Sequence, residues 1–227
     1  MGWLEFALAM TVFMASHRIP AMLGVKDGLT GALGPRGYTT AFSVVSVLLL
    51  WWVIKAAGRA PYVPLWDQTM TARWGVTIVM PLVVLLAALG VTAPNPFAFE
   101  GRAMGFDPDR PGVAGLTRQP LLWAMLLWAG VHTWANGDLA HVILFCTFGL
   151  FSALGMLMVE RRRARLMGPA EWQRQSARTA LVPFAAMPRW QGSPYRRPPW
   201  LRVGIAVVAW AALLHLHAPV IGVGPLP

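Results

Sequence analysis

Apolar residues are grouped along the chain into six long runs, which polar and basic segments separate. The runs are 2–16, 38–57, 74–91, 121–135, 139–159 and 201–218. Gly34-Pro35-Arg36-Gly37 predicts a break in the chain just before the second run. Runs of about 15 to 20 residues reach ~22–30 Å as α-helices, close to the thickness of the hydrocarbon core of a bilayer. The pattern therefore predicts an all-α, polytopic membrane bundle with about six transmembrane helices, formed as a single domain over residues 1–227.

The fourth run lies within the stretch 117–138, around which we interpret the rest of the chain. It is apolar apart from His132 and Thr133. Trp128, His132 and Asn136 are spaced by four residues, which places them on one face of a helix. An ionisable residue inside an apolar span is costly, so His132 is a candidate functional residue.

Both ends of this helix are marked by residue type. Pro120 suits the first turn, where its missing N–H loses no hydrogen bond. Asn136-Gly137-Asp138 is a typical helix end. Asp138 is also a candidate acid or base, although Asn-Gly-Asp at a helix end is more commonly a turn.

Composition supports a membrane location. The chain is 56% hydrophobic and 12% charged, with a mean hydropathy of +0.53. Soluble domains carry roughly twice that charged fraction. The net charge of +10 lies in loops beside apolar runs, which favours a topological role over nucleic-acid binding. A single cysteine, Cys146, excludes an internal disulfide and a cysteine-based metal cluster within one chain.

The basic residues predict an orientation. Sixteen of the 19 lie in the segments 17–37, 93–119 and 160–202, which six spans place on one side of the membrane. Lys55, Arg59 and Arg73 lie on the other side. The positive-inside rule therefore places the 160–200 loop in the cytoplasm and both termini outside it.

The 160–200 loop contains a predicted helix start at Gly168-Pro169-Ala170-Glu171, followed by Trp172 and arginines. This pattern is typical of a short helix at the membrane surface. The loop either only sets the topology or covers a site that opens to the cytoplasm.

Histidines are the main candidates for chemistry. The five are His17, His132, His141, His215 and His217. Neutral imidazole binds iron and other transition metals, and a haem in a helical bundle needs one or two histidines. Intramembrane histidines also form structural hydrogen bonds between helices, and this alternative stays open for each of them.

Four blocks of the sequence resemble the NnrU family of membrane proteins, which includes zeta-carotene isomerase. The blocks are Ser16-His17; Gly37-Tyr38 with Leu65-Trp66-Asp67; Thr117-Arg118-x-Pro120 through Trp128, His132 and Asn136-Gly137-Asp138; and residues 179–186 (TALVPFAA) with His217 and Gly222-Val223. The resemblance covers essentially the whole chain.

The resemblance implies a haem b protein in which His17 and His132 bind the iron. Depth along the spans instead favours His217 as the partner of His132. Gln119 stands where the family usually has histidine, and Ala129 stands where the isomerase has a cysteine.

Four further residues are predicted at the cofactor site. Arg118 is expected to anchor an anionic group such as a haem propionate. Trp128 is expected to line the pocket, and Asn136 and Asp138 to fix the end of the helix.

The expected function is haem-dependent redox or cis-trans isomerase chemistry on a small or lipidic substrate, with a possible redox partner. The resemblance to the NnrU family implies a role in denitrification and nitric oxide metabolism, or in isomerisation of a carotenoid-like lipid. The expected location is the bacterial inner membrane. One alternative is a membrane methyltransferase of the isoprenylcysteine or phospholipid type, which Thr117-Arg118-x-Pro120, Glu160-Arg161 and Val182-Pro183-Phe184 also resemble. A non-catalytic membrane assembly factor is the third class.

Overall fold

The computed structural model describes residues 2–22, 24–99 and 101–227, with the side chains of 18–22 excluded. Within these residues the regular structure is helical, apart from two isolated bridges. The eight α-helices are α1 (Gly2–Met22), α2 (Val25–Arg59), α3 (Met70–Gly90), α4 (Val113–Leu116), α5 (Pro120–Ala135), α6 (Leu139–Met167), α7 (Pro169–Ser176) and α8 (Trp200–Ile221). The predicted all-α class is confirmed.

The chain divides into two compact units. The first comprises Met1–Asp67 and Asn136–Leu144, and the second comprises Gln68–Ala135 and Phe145–Pro227. Helix α6 therefore contributes its first turn and a half to one unit and the rest of its length to the other.

In the first unit α1 packs along α2. Phe6, Ala9 and Phe13 recur at helical spacing and are buried. The carboxylate of Glu5 forms an ion pair with Arg59 at the far end of α2, and Trp52 Nε1 donates to it at 3.3 Å. The start of α1 therefore lies against the end of α2.

Helix α2 is interrupted where the sequence predicted a break before the second span. Gly34 has φ 70° and ψ 165°, outside the helical region, and Pro35 follows it. Glycine reaches positive φ without the steric cost that a Cβ imposes. The long helix is therefore two segments joined at a kink.

In the second unit α3 packs between α5 and α8. A Cβ built at Gly75 would overlap the ring of Trp134 near the end of α5, and one built at Gly90 would lie 2.8 Å from Pro120 at its start. Small residues thus allow α3 and α5 to approach closely at both ends, which is the usual basis of helix packing in membranes.

Four helices are long and apolar enough to cross a membrane: α2, α3, α6 and α8. Their surfaces are rich in exposed apolar side chains, as in α8, where Leu201 is 79% exposed and Val208 is 70% exposed. An integral membrane protein is therefore supported. Four of the described helices have the length and hydropathy of a membrane span, and the six spans predicted from the sequence are not shown.

Two of the predicted spans, α1 and α5, do not reach the length or the hydropathy of a candidate span. Helix α5 has 16 residues, about 24 Å of helix, which is short of the ~30 Å hydrocarbon core. Helix α1 is longer but carries Glu5, His17 and Arg18 among its apolar residues.

Candidate functional site

His132 lies in a group of aromatic rings, which we call the histidine cluster: Trp128, His132, Phe145 and Phe148. The ring centroid of His132 lies 5.4 Å from Trp128 and 5.1 Å from Phe145. Trp128 also contacts Phe145 at 5.1 Å and Phe148 at 5.9 Å. Helix α5 supplies the first two residues at a spacing of four, and α6 supplies the two phenylalanines.

The imidazole of His132 is oriented by its own helix. Its Nδ1 lies 2.8 Å from the carbonyl oxygen of Trp128, one turn earlier. A carbonyl oxygen only accepts, so Nδ1 carries the proton in this bond and Nε2 holds the lone pair. A histidine ligand of a metal usually has this arrangement, in which one nitrogen is tied to an acceptor and the other faces the metal.

His17, in the first unit, has a similar environment. Its Nδ1 lies 2.8 Å from the carbonyl oxygen of Phe13 and 3.2 Å from Ser16 Oγ. Its ring lies 4.5 Å from that of Phe13 and 5.2 Å from that of Phe42. The ring is therefore held between two phenylalanines, with Nε2 again as the lone-pair nitrogen.

The histidines of α8 belong to the second unit and are more exposed. His217 Nδ1 lies 2.7 Å from the carbonyl oxygen of Val223, beyond the helix end, and His215 Nδ1 lies 2.8 Å from that of Ala211. The bond of His217 ties it to Gly222-Val223, the other part of its sequence block.

Arg118 and Glu160 form the most heavily bonded polar group of the second unit. The guanidinium group donates to both carboxylate oxygens, from Nη2 at 2.6 Å and from Nε at 3.0 Å. The two side chains are only 15% and 12% exposed. The guanidinium carbon also lies 5.8 Å from the ring centre of Phe97 and 5.3 Å from that of Trp172.

Hydrogen bonds join the segment 179–184 to the start of α5 beside this ion pair. Arg118 N donates to the carbonyl of Ala180 at 2.8 Å, while Thr117 Oγ1 and Trp123 Nε1 both donate to that of Leu181, at 2.7 and 2.9 Å. The sequence blocks that begin at Thr117 and at Thr179 therefore meet. We call this assembly, with Glu160, the arginine node.

Sequence analysis missed the buried polar side chains of the arginine node. Gln119 is fully buried and donates to the carbonyl of Phe97 at 2.9 Å and to Glu160 at 3.4 Å. Buried Asn95 donates to the carbonyl of Arg118 at 2.9 Å. The available signal was the run of polar residues directly before Pro120, since buried polar groups need partners.

Asn136-Gly137-Asp138 is an irregular link before α6 in the first unit, and not the expected turn, because Asp138 pairs with Pro64 in an isolated antiparallel bridge. The carbonyl of Gly137 accepts from Leu65 N at 2.6 Å and from Trp66 N at 3.2 Å. The carboxylate of Asp138 accepts from the backbone N of His141 at 3.2 Å, as a cap of α6, and lies 2.7 Å from His141 Nδ1. The block Leu65-Trp66-Asp67 therefore meets the end of the 117–138 stretch.

The predicted site residues are thus distributed over three places. Trp128 and His132 lie together in the histidine cluster. Arg118 lies before Pro120, and Pro120 is about 18 Å along the α5 axis from His132. His17, Asn136 and Asp138 belong to the first unit. Among the described residues no group of three or more His, Cys, Asp or Glu side chains could hold a metal ion.

These features define a polytopic α-helical membrane protein with oriented histidines among aromatic rings and a buried ion pair beside α5. The chain belongs to the NnrU family, because the family model described as NnrU protein matches residues 5–225. Comparisons with curated proteins and with solved structures gave no match.

Proposed function

We propose that this NnrU family member binds haem b through His132 and uses it for redox or isomerase chemistry on a small or lipidic substrate within the bilayer. The proposal rests on the orientation and the surroundings of the His132 imidazole. Its Nδ1 is bonded to the Trp128 carbonyl and its ring is surrounded by aromatic side chains.

The residues present fit this cofactor in their donor chemistry. A haem needs one or two neutral imidazoles with the Nε2 lone pair available, and the helix carbonyls impose that tautomer on His132 and on His17. We take His17 as the second ligand and keep His217 as the alternative. A bound haem would supply an iron centre for electron transfer, or for activation of a conjugated double bond.

The chain's own residues would have defined tasks. The Trp128 carbonyl would hold the proton on Nδ1 of His132, so that the imidazole stays oriented in both oxidation states of a metal. Phe145 and Phe148 would keep water from the cluster. Arg118, proposed as the propionate anchor, would have to share its guanidinium group with Glu160.

The test is the absorption spectrum of the detergent-purified protein, oxidised and after dithionite, for wild type, His132→Ala, His17→Ala and His217→Ala. We expect a Soret band that shifts on reduction and is lost in His132→Ala. His215→Ala is the matched control, since His215 makes the same type of bond to its own helix. Added imidazole should restore the band in His132→Ala, which separates loss of a ligand from loss of the fold.

The outcome for the other variants selects the partner of His132. A changed spectrum in His17→Ala with no change in His217→Ala supports the first pair, and the reverse supports the alternative. A protein that stays colourless after expression with ample haem contradicts the proposal and favours a non-catalytic assembly factor.

We also propose the orientation and the location. The 160–200 loop lies in the cytoplasm, both termini lie outside it, and the membrane is a bacterial inner membrane. The support is the strong asymmetry of the loop arginines and lysines. A C-terminal alkaline phosphatase fusion should be active and a C-terminal green fluorescent protein fusion dark, and the opposite pair of results would refute the orientation.

A methyltransferase of the isoprenylcysteine or phospholipid type is the second candidate. One observation favours it, namely that Thr117, Arg118, Glu160 and Val182-Pro183-Phe184, which carried that resemblance, come together in the arginine node. Calorimetric titration with S-adenosylmethionine tests it directly. Binding that Arg118→Gln abolishes would support this class, and absence of binding by the wild type would remove it.

A further inference from the structure

A cavity of about 290 Å³ lies in the second unit, apart from the histidine cluster and the arginine node. Its walls come from the end of α3, from the segment 105–113, and from the segment 195–202 at the start of α8. Its charged lining consists of Arg110, Arg196, Arg197, Arg202 and Asp107. We call it the arginine cavity.

The walls of this cavity are held by specific bonds. Gly112 N donates to the carbonyl of Pro194 at 2.7 Å, which joins the two loop segments. Arg202 donates to the carbonyls of Ala88 and Leu89, at 3.1 and 3.2 Å, and also to that of Val91. These carbonyls lie at the end of α3, where a cation is favoured by the helix dipole.

The remaining charges of the lining are not neutralised. Four arginines and one aspartate give it a formal charge of +3. Arg202 is occupied by α3, whereas no hydrogen bond or ion pair is seen for the guanidinium groups of Arg110, Arg196 and Arg197 within the described parts of the chain. Asp107 accepts from the backbone N of Asp109 at 2.9 Å. Three guanidinium groups in one concave site favour an anion with several oxygens.

Tyr195 contributes to the same wall. Its OH is buried and has no hydrogen-bond partner among the described residues. Burial raises the pKa of Tyr195 to about 12. Because the hydroxyl oxygen has essentially no accessible surface, an anion in the cavity does not reach it, and the arginines are the available donors.

We propose that the arginine cavity binds a phosphate-bearing anion, with Arg110, Arg196 and Arg197 on its oxygens. The volume admits a phosphate with its adjoining polar group. Leu89, in the last turn of one candidate span, and Arg202, in the first turn of another, place the cavity at the membrane boundary. Phospholipid headgroups and soluble phosphate compounds both reach that level.

The test is calorimetric titration of the full chain in a neutral detergent, at constant ionic strength, with two probes: inorganic phosphate and dihexanoylphosphatidylglycerol. The variant is Arg196→Gln with Arg197→Gln, which leaves the fold in place because both side chains are exposed. Arg161→Gln with Arg162→Gln is the matched control, an exposed pair outside the cavity. A second control, Tyr195→Phe, removes only a hydroxyl that the cavity does not expose.

We expect the dissociation constant to rise at least about tenfold in the 196/197 variant, and to change less than about twofold in Tyr195→Phe and in the control pair. Binding of both probes, or of inorganic phosphate alone, identifies the phosphate group as the ligand and admits a soluble source. Binding of the lipid alone identifies a headgroup site. Binding of neither probe, or equal weakening in both arginine pairs, overturns the proposal.

Discussion

Removing the carboxylate of Glu160 should destabilise the second unit more than any surface change. In Glu160→Ala, the guanidinium group of Arg118 loses its bonds to both carboxylate oxygens, at 2.6 and 3.0 Å. Neither side chain is more than 15% exposed, so water replaces the carboxylate poorly. The variant therefore leaves a cation in a buried site.

The size of this destabilisation depends on the partners that remain for the Arg118 guanidinium group. Breaking a buried ion pair by removing one side costs about 3–5 kcal/mol. The guanidinium group keeps Nη1 bonds to Thr179, at 3.3 and 3.4 Å, and its contacts with the rings of Phe97 and Trp172. We therefore expect the lower end, a loss of about 3 kcal/mol in the free energy of unfolding.

The assay is reversible unfolding in mixed detergent micelles, followed by circular dichroism and tryptophan fluorescence. Replacing both residues, Arg118→Met with Glu160→Leu, should cost less than Glu160→Ala, because no charge is then left buried. Arg174→Ala is the control, since its pair with Glu171 is exposed and should contribute nothing measurable. If Glu160→Ala unfolds like the wild type, or if the double replacement is the worse of the two, the reasoning fails.

Two further predictions concern single residues. Gly137→Ala should lower the free energy of unfolding by at least about 2 kcal/mol, because the added Cβ would overlap the Trp66 carbonyl. Gly130→Ala has open space around the added Cβ and should stabilise helix α5. Thermal unfolding of both variants checks this. The stability contributed by Tyr195 should be fully present below pH 10 and be lost as the pH rises to about 12, because its pKa is higher in the folded protein than in the unfolded chain. Between pH 10 and 12 the free energy of unfolding should depend less steeply on pH in Tyr195→Phe than in the wild type. An equal dependence on pH in the two proteins would contradict the burial argument.

Local signals in the sequence located much of the helical structure. The apolar run 121–135, with Pro120 before it and Asn136-Gly137-Asp138 after it, matches the observed bounds of α5. The break before the second span is the kink at Gly34. Such features depend on backbone preferences of a few adjacent residues, which a sequence displays directly.

Helix ends beyond the apolar runs were predicted less well. Helix α6 continues to Met167, past the expected end at about Val159, because Arg161, Arg162 and Arg163 are good helix formers that extend the helix into water. Hydropathy marks where a segment leaves lipid, and this need not be where its helix ends. The same limitation applies to α1, which extends from the predicted 2–16 to Met22.

Long-range polar contacts could not be predicted. Arg118 was identified as a candidate for an external anion, but its partner in the structure is Glu160, 42 residues later. The polar run before Pro120 marks Gln119 as a candidate for burial, but neither Gln119 nor Asn95 has a pattern that identifies its partner. Pairing of polar groups over such separations depends on how the helices pack, which periodicity does not encode.

The separation between Arg118 and its partner has a consequence for how the protein is made. Ribosomes add roughly 5–20 residues per second, so Arg118 exists for about 2–8 s before Glu160 is synthesised, and longer before Thr179 and Leu181 follow. During that interval the carboxylate that Arg118 pairs with in the folded protein has not yet been made. The ion pair therefore forms only after α6 has been synthesised as far as Glu160, and the bonds to Thr179 and Leu181 come later still.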